Sequence, residues 1–312
     1  MSDAASNSAV SNNELRFDEQ AAIITGAGNG LGKAHALEFA RRGAMVVVND
    51  LGRAVDSAGN DTSAAQLVVD EIKAAGGLAV ASTGSVTDPA AAKGLTEQAL
   101  DEFGRLDIVV NNAGILRDKA FHNSDLENWQ AVIDVHLTGA YNVTLPAFQH
   151  MRAQGYGRIV MTSSPAGLYG NFGQTNYSSA KMGLVGFARA IKQEGGRKGI
   201  QANVIAPTAD TAMTEGLLGT LADDTPPELI TAVVGYLCHE SCDLNGEVLA
   251  CAGGRVARAF VGVTPGIFDR NLSIDTVAAN IDEICAEEGY TVPDGVGDEM
   301  ALILKGLKAN PK

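Results

Sequence analysis

Short, unbroken apolar runs alternate along this chain with stretches in which apolar residues recur every three or four positions. That is the pattern of buried strands separated by helices. Ala21 to Thr25 is the first such run, and it leads at once into Gly26-Ala-Gly28-Asn-Gly30-Leu-Gly32 and then into Lys33 to Arg42, which has helical periodicity. Ala44 to Asn49 is a second strand ending at Asp50, so the unit is long enough for a right-handed crossover. Further strands are predicted over residues 78–82, 106–110, 158–163, 200–205 and 246–250. Helices are predicted over residues 62–75, 89–103 with Asp88 as cap, 125–151 with a kink near Pro146, 174–195 and 226–240. The fold class expected is α/β: a single doubly wound domain with a mostly parallel seven-stranded sheet. Residues 1–17 read as a flexible leader and 18–254 as the domain. Residues 255–312 read as a C-terminal extension packed on the domain or on a subunit partner, with one amphipathic helix around Ile274 to Ala286. Leu51 to Asp61 reads as a solvated loop, and Leu217 to Asp224 as a mobile segment of the kind that acts as a lid.

The glycines after the first strand act by being small. Without a Cβ they let the backbone approach a pyrophosphate, whose charge the helix N-terminus then stabilises. A glycine triplet alone is as consistent with a tight turn. Here the strand before it, the helix after it and Asp50 at the end of the next strand together predict a Rossmann-type dinucleotide site. Asp50 stands twenty-four residues after Gly26, near the separation at which an acid receives the ribose hydroxyl of NAD. Arg53 is the basic residue close enough to compete for a 2′-phosphate. Asn111-Asn-Ala-Gly114 ends the fourth strand, where small amide residues either line a ligand floor or make a plain turn. Pro207 to Thr211, after the sixth strand, suits a nicotinamide-side loop and suits a linker equally well.

A second constellation carries chemistry. Tyr177 and Lys181 are four residues apart, one turn on the same face of the 174–195 helix. An ammonium so placed favours phenolate and lowers a pKa that starts near ~10, giving a general base. Ser164, thirteen residues upstream at a strand end, can hold a substrate oxygen. Such a pair is more often packing plus a solvated charge, and the dinucleotide site is what changes that weighting. His136 is open to three readings: a core histidine, a member of a proton relay, or an interface residue.

Composition narrows the classes. The formal charge is −14, with no basic run, which argues against a nucleic-acid partner. No apolar run approaches the ~20 residues of a membrane span, and the first residues lack a signal-peptide pattern. A cytoplasmic location is therefore expected. Cys238, Cys242, Cys251 and Cys285 do not make a four-ligand set, so no metal is expected and the thiols are read as free.

Taken together, Thr25 to Gly32, Asn111 to Gly114, Ser164, Tyr177-Ser-Ser-Ala-Lys181 and the Pro207 turn resemble the short-chain dehydrogenase/reductases over about residues 18 to 254. Val48 to Gly52, Gly114 to Asp118, Leu168 to Gln174 and Leu237 to Cys242 look more narrowly like the (3R)-hydroxyacyl-CoA dehydrogenase module of peroxisomal multifunctional enzymes and its free-standing bacterial relatives. The resemblance implies NAD as cofactor and Ser164, Tyr177, Lys181 and His136 as the catalytic group. It implies cofactor contacts from Gly26, Asn29, Gly30, Leu31, Asp50, Ser85 and Val86. Asn112, Ala113, Gly114, Tyr177, Lys181, Pro207 and Thr211 complete that set. It also implies a 3-hydroxyacyl-CoA substrate, from a fatty acid or a sterol side chain, and a homodimer or homotetramer. A 17β-type hydroxysteroid dehydrogenase is the alternative enzyme, and a non-catalytic cofactor-binding scaffold is the alternative of another class. The chain departs from the wider family in carrying His136 where an asparagine is usual, Pro165 after the serine, and Thr208 where a glycine is usual.

Overall fold

Strand β1 (Ala21–Thr25) is buried along its whole length, as a strand must be when helices cover both faces of its sheet. The computed structural model describes residues 14–56, 59–211 and 219–310. The leader predicted over residues 1–17 lies outside them up to residue 13. The chain divides into two compact units, Met1–Ala257 and Arg258–Lys312.

In the first unit β1 is followed by β2 (Met45–Asn49), β3 (Arg53–Val55), β4 (Asp61–Ser63), β5 (Leu78–Ser82), β6 (Ile108–Asn111), β7 (Gly157–Thr162), β8 (Ile200–Thr208) and β9 (Val248–Ala252), and β10 (Arg255–Ala259) begins at its end. The main sheet runs β10-β9-β8-β7-β6-β1-β2-β5. Every seam from β5 to β9 is parallel. The predicted seven strands are thus present, and the sheet has an eighth. β10 follows the Gly253-Gly254 turn at the sheet's edge, and its residues are exposed or half-buried, so no apolar run announced it. Strand order reverses between β1 and β6, which opens a crevice at their carboxyl ends.

The helices are α1 (Gly30–Arg41), α2 (Ala64–Ala74), α3 (Pro89–Phe103), α4 (Leu126–Ile133), α5 (Gly139–Gln154), α6 (Pro165–Tyr169), α7 (Thr175–Gly195) and α8 (Pro227–Cys238). Side chains cap several: Ser63 accepts from the Gln66 N–H, Asp88 from Ala90 and Asp125 from Asn128. Phe17 stacks on Phe39 of α1 at 4.7 Å within a core that includes Ile24, Val48, Val110 and Val160. Each such side chain contributes about 1.5–3 kcal/mol by leaving water.

Two expectations are corrected. The helix predicted over residues 125–151 is broken: a π-helical turn, Asp134–Thr138, separates α4 from α5, while Pro146 is carried inside α5. The predicted loop 51–61 holds the β3–β4 hairpin, clipped by an Arg53–Asp61 ion pair at 2.9 Å. Of the predicted lid, residues 217 and 218 lie outside the described residues, and Gly219–Asp224 forms a 3-10 helix.

The second unit carries α9 (Ile274–Ala279), α10 (Ile281–Cys285) and α11 (Val296–Ala309), a Val263–Thr291 bridge and a stacked Phe260–Tyr290 pair. The single helix expected around 274–286 is split at Asn280. α11 was not expected, and its apolar residues Met300, Ile303 and Leu304 are exposed. Among the described residues no helix is long and apolar enough to cross a membrane.

Candidate active site

A cleft of about 260 Å³ lies at the crevice, and most of the predicted residues stand on its wall. Gly26, Asn29, Gly30 and Leu31 supply one end with Asp50. Asn112, Gly114 and His136 supply the floor. Tyr177, Lys181, Pro207 and Thr211 supply the other end. Ala113 and Val86 border a smaller void of about 10 Å³ behind His136 and Lys181. Ser85 is not on the cleft wall; its hydroxyl bonds Thr87 at 2.8 Å.

The turn from β1 to α1 makes a cradle for an anion. Gly26 has φ +63°, and a Cβ there would stand 2.8 Å from Cα of Ala113. At Gly30, φ +51°, a Cβ would reach only the Thr211 side chain across the cleft, at 3.3 Å, so a substituent would occupy the cradle itself. A Cβ on Gly32 would lie 2.6 Å from Nδ2 of Asn112, which donates to the Thr25 and Gly26 carbonyls. The Asn111-to-Gly114 segment therefore shapes the glycine turn as well as the floor. Asp50 receives the N–H of Gly28 at 2.9 Å and of Gly52 at 2.6 Å, fixing both carboxylate oxygens at the end of β2. These residues fit a dinucleotide: a backbone cradle for its phosphates and a fixed acid for its ribose.

At the other end Ser164 caps α6 and hydrogen-bonds the Tyr177 side chain. The Lys181 ammonium nitrogen is buried, 5.4 Å from the Tyr177 ring centre, and donates to the Thr162 carbonyl at 2.6 Å. The imidazole of His136 meets the Tyr177 ring edge-on at 5.2 Å. Its Nε2 lies 3.0 Å from the Ile115 N–H and 2.8 Å from the Ile115 carbonyl; the neutral ring makes one of these bonds, according to tautomer. Its Nδ1 is buried without a hydrogen-bond partner.

The electrostatics differ from the sequence expectation that the lysine would lower the phenol's pKa. Burial raises the Tyr177 pKa above the usual value, the Ser164 hydrogen bond opposes this, and the Asp118 carboxylate adds to it. Burial also brings Lys181 down to about 7 and His136 to about 3, the latter helped by the nearby lysine. The reason is geometric: Lys181 lies over the ring, 5.4 Å from its centre and bound to the Thr162 carbonyl, and burial is the largest influence on the phenol.

Sequence reasoning missed Thr162 and Ser163, whose backbone carbonyl and hydroxyl fix Lys181, and Asp118 and Gln174, which bond each other at 2.7 Å. Thr162 and Ser163 could have been found from their place beside Ser164 at a strand end. Asp118 and Gln174 carry no such signal, because their pairing joins distant loops.

The family model described as short chain dehydrogenase matches residues 20–220. The chain is 52% identical over 245 residues to the peroxisomal multifunctional enzyme type 2 of Drosophila melanogaster, covering 78% of this chain and 40% of that protein. A hydroxyacyl-CoA dehydrogenase of Mycobacterium tuberculosis is 38% identical over 294 residues, covering 88% of this chain and 89% of that one. The solved structure of the full-length fly enzyme superposes with a TM-score of 0.80 at 38% identity, covering 95% of this chain and 50% of that one. The chain thus spans half or less of the length of the fly relative.

Proposed function

Since the chain belongs to the short-chain dehydrogenase family and is an oxidoreductase of secondary alcohols, we propose that it interconverts a 3-hydroxyacyl-CoA and a 3-ketoacyl-CoA with NAD. The observation that carries the reading is that Tyr177, hydrogen-bonded by Ser164, and Lys181 stand at one end of a cleft whose other end is a glycine cradle and a fixed acid; Ser164 itself lies behind the cleft wall. Names of relatives support the acyl-CoA class: hydroxyacyl-CoA dehydrogenase for the mycobacterial protein, peroxisomal multifunctional enzyme for the fly protein.

Gly26 and Gly30 would hold the cofactor's phosphates and Asp50 its adenosine ribose. Two features support NAD over NADP. The Asp50 carboxylate is held by two backbone N–H groups where a 2′-phosphate would meet like charge, and Arg53 is engaged by Asp61. A nicotinamide held there would supply the hydride acceptor for alcohol oxidation and the hydride donor for ketone reduction. Ser164 holds the substrate oxygen. Tyr177 takes its proton during oxidation and gives one back during ketone reduction. Lys181, brought to about 7 by burial, is held over the phenol ring by its hydrogen bond to the Thr162 carbonyl, where its charge can respond to the phenol's ionisation. His136 packs against the phenol ring and restricts its rotation.

The test is NADH formation with (3R)-3-hydroxybutyryl-CoA, longer 3-hydroxyacyl-CoA thioesters, free 3-hydroxy acids and a 17β-hydroxysteroid. The thioesters should give the highest kcat/KM, because remote CoA contacts help position the reacting carbon. A higher value on the steroid would replace the substrate assignment. No turnover of any alcohol would return the chain to a cofactor-binding scaffold.

We also place the reaction in the cytoplasm, on the free-standing bacterial relatives, and expect a homodimer or homotetramer. Tyr141 and Leu145 on α5 and Met182 on α7 are exposed apolar residues on two long helices that meet at the Tyr141–Phe187 ring pair, 6.4 Å apart, as a subunit interface requires. Light scattering at micromolar concentration checks the assembly; a monomer mass contradicts it.

A further inference from the structure

Three consecutive residues of the loop after β6 are each bonded to the segment that runs into Tyr177. Asn176 donates to the Arg117 carbonyl at 3.0 Å, Gln174 donates to the Asp118 carboxylate at 2.7 Å, and the Lys119 N–H donates to the Gly173 carbonyl at 2.9 Å. Gln174 is 8% exposed and stands at the N-cap of α7. Its amide is used at both ends, for the carbonyl oxygen accepts from Asn171 at 2.9 Å while the nitrogen reaches Asp118. Of the flanking rungs, one joins the Asn176 side-chain amide to a backbone carbonyl and the other joins two backbone groups. The middle rung alone is a bond between two side chains, and it contains the carboxylate.

We propose that Asp118 and Gln174 are positioning residues for Tyr177, a side-chain clasp that fixes the start of α7 against the loop after β6 and sets a permanent negative charge beside the phenol.

The two parts of that role have separate consequences. The clasp is mechanical. Gln174 precedes Tyr177 by three residues, so freeing it loosens the first turn of α7, on which the direction of the phenol depends. The charge acts on the proton. Among the described residues the ionisable groups around the phenol are few: Lys181 from α7, His136 from the π turn and Asp118 from the loop, with the uncharged Ser164 from the β7–α6 junction. Burial keeps His136 neutral and brings Lys181 to about 7, which leaves Asp118 as the full charge among them at neutral pH. A negative charge there favours the protonated phenol, the form that donates to a ketone oxygen. The pair thereby moves the pH at which the phenol ionises, and with it the pH profile of alcohol oxidation, upward.

The inference rests on the dehydrogenase reading for its meaning, but its test does not depend on the substrate. The full chain is labelled with ¹³C at the Cζ of tyrosine, and the Tyr177 resonance, assigned with Tyr177→Phe, is titrated in the wild type and in Asp118→Asn. The asparagine oxygen still accepts from Gln174, so the clasp stays and only the charge goes. The midpoint should fall by about half a unit to one unit. An unmoved midpoint overturns the electrostatic half.

For the mechanical half, Gln174→Ala should lower kcat on (3R)-3-hydroxybutyryl-CoA by about tenfold with little change in KM for NAD. The reversed pair Asp118→Asn with Gln174→Glu restores one bond and one charge and should recover most of that loss. Recovery absent, or kcat unchanged in Gln174→Ala, overturns it. Wild-type inactivity on that thioester would count against the substrate assignment alone, and the loss and rescue would then be read from the line width of the Tyr177 resonance: broadened in Gln174→Ala and sharp again in the reversed pair, with any other pattern overturning the clasp.

Discussion

The imidazole of His136 fills the space that a side chain at Gly114 would need: a Cβ built there falls against Cε1 of the ring and 3.1 Å from its Nδ1. The glycine that ends Asn111-Asn-Ala-Gly114 is thus matched to a histidine on a separate helix. Gly114→Ala should push the ring out of its contact with Tyr177, destabilising the protein by about 1–3 kcal/mol, as overpacking does. Turnover should fall further than stability explains. A thermal melt and kcat measured on the same preparation check this; a variant with both unchanged would show that the ring has room to move.

Replacing Tyr177 with phenylalanine removes the proton acceptor while keeping the ring that His136 and Lys181 pack against. Turnover should drop by about 10²-fold or more, with cofactor affinity nearly unchanged. Steady-state rates and a cofactor fluorescence titration are the measurements, and near-normal turnover would refute the role given to the phenol.

Asp50→Ala removes the carboxylate that receives the Gly28 and Gly52 amides. The wild type should prefer NAD, and the variant should lose about tenfold in kcat/KM for NAD while gaining with NADP. A wild type that prefers NADP would move the ribose assignment to Arg53.

Two buried histidines give stability an acid dependence of known sign. His35, bonded to Thr231 at 2.7 Å, and His136 both have folded pKa values of about 3, lowered chiefly by burial from an ordinary value of 6.5. The unfolded chain therefore binds more protons than the folded one between those limits, and stability is lost as pH falls through that window. The slope should approach about 1.4 kcal/mol per pH unit for each histidine. Between pH 6.5 and 5 most carboxylates stay ionised, so chemical denaturation over that interval isolates the effect. A flat profile there would contradict the neutral burial of both rings.

The parts of the molecule that the sequence announced are those whose physics is local. Ala21 to Thr25 needs no partner to reveal a buried strand, and Gly26 to Gly32 needs none to reveal a turn. Asp88 marks its helix by its place before Pro89 alone. What escaped depends on contacts between distant segments. The carbonyl of Thr162 beneath Lys181 and the bond from Gln174 to Asp118 join residues that no window of sequence contains together. β10 escaped for another reason, since its residues are exposed or half-buried and form no apolar run, whereas α11 carries helical spacing at Val296, Met300, Ile303, Leu304 and Leu307 that the sequence reading overlooked. The phenol's pKa went the wrong way because helical spacing fixes which side chains are neighbours but says nothing about how little water reaches them.

The π-helical turn at Asp134–Thr138 holds one residue more than an α-helical turn would. Each residue of a helix turns its successor by roughly 100°, so that extra residue sets the angular register of everything downstream in α5. Val143, Ala147 and Met151 face the core only because of it. Deleting a single residue between Asp134 and Thr138 would straighten the helix and rotate that apolar face out of the core, whereas a conservative substitution at the same place would leave it in register. In this stretch, then, chain length is a stricter inheritance than residue identity.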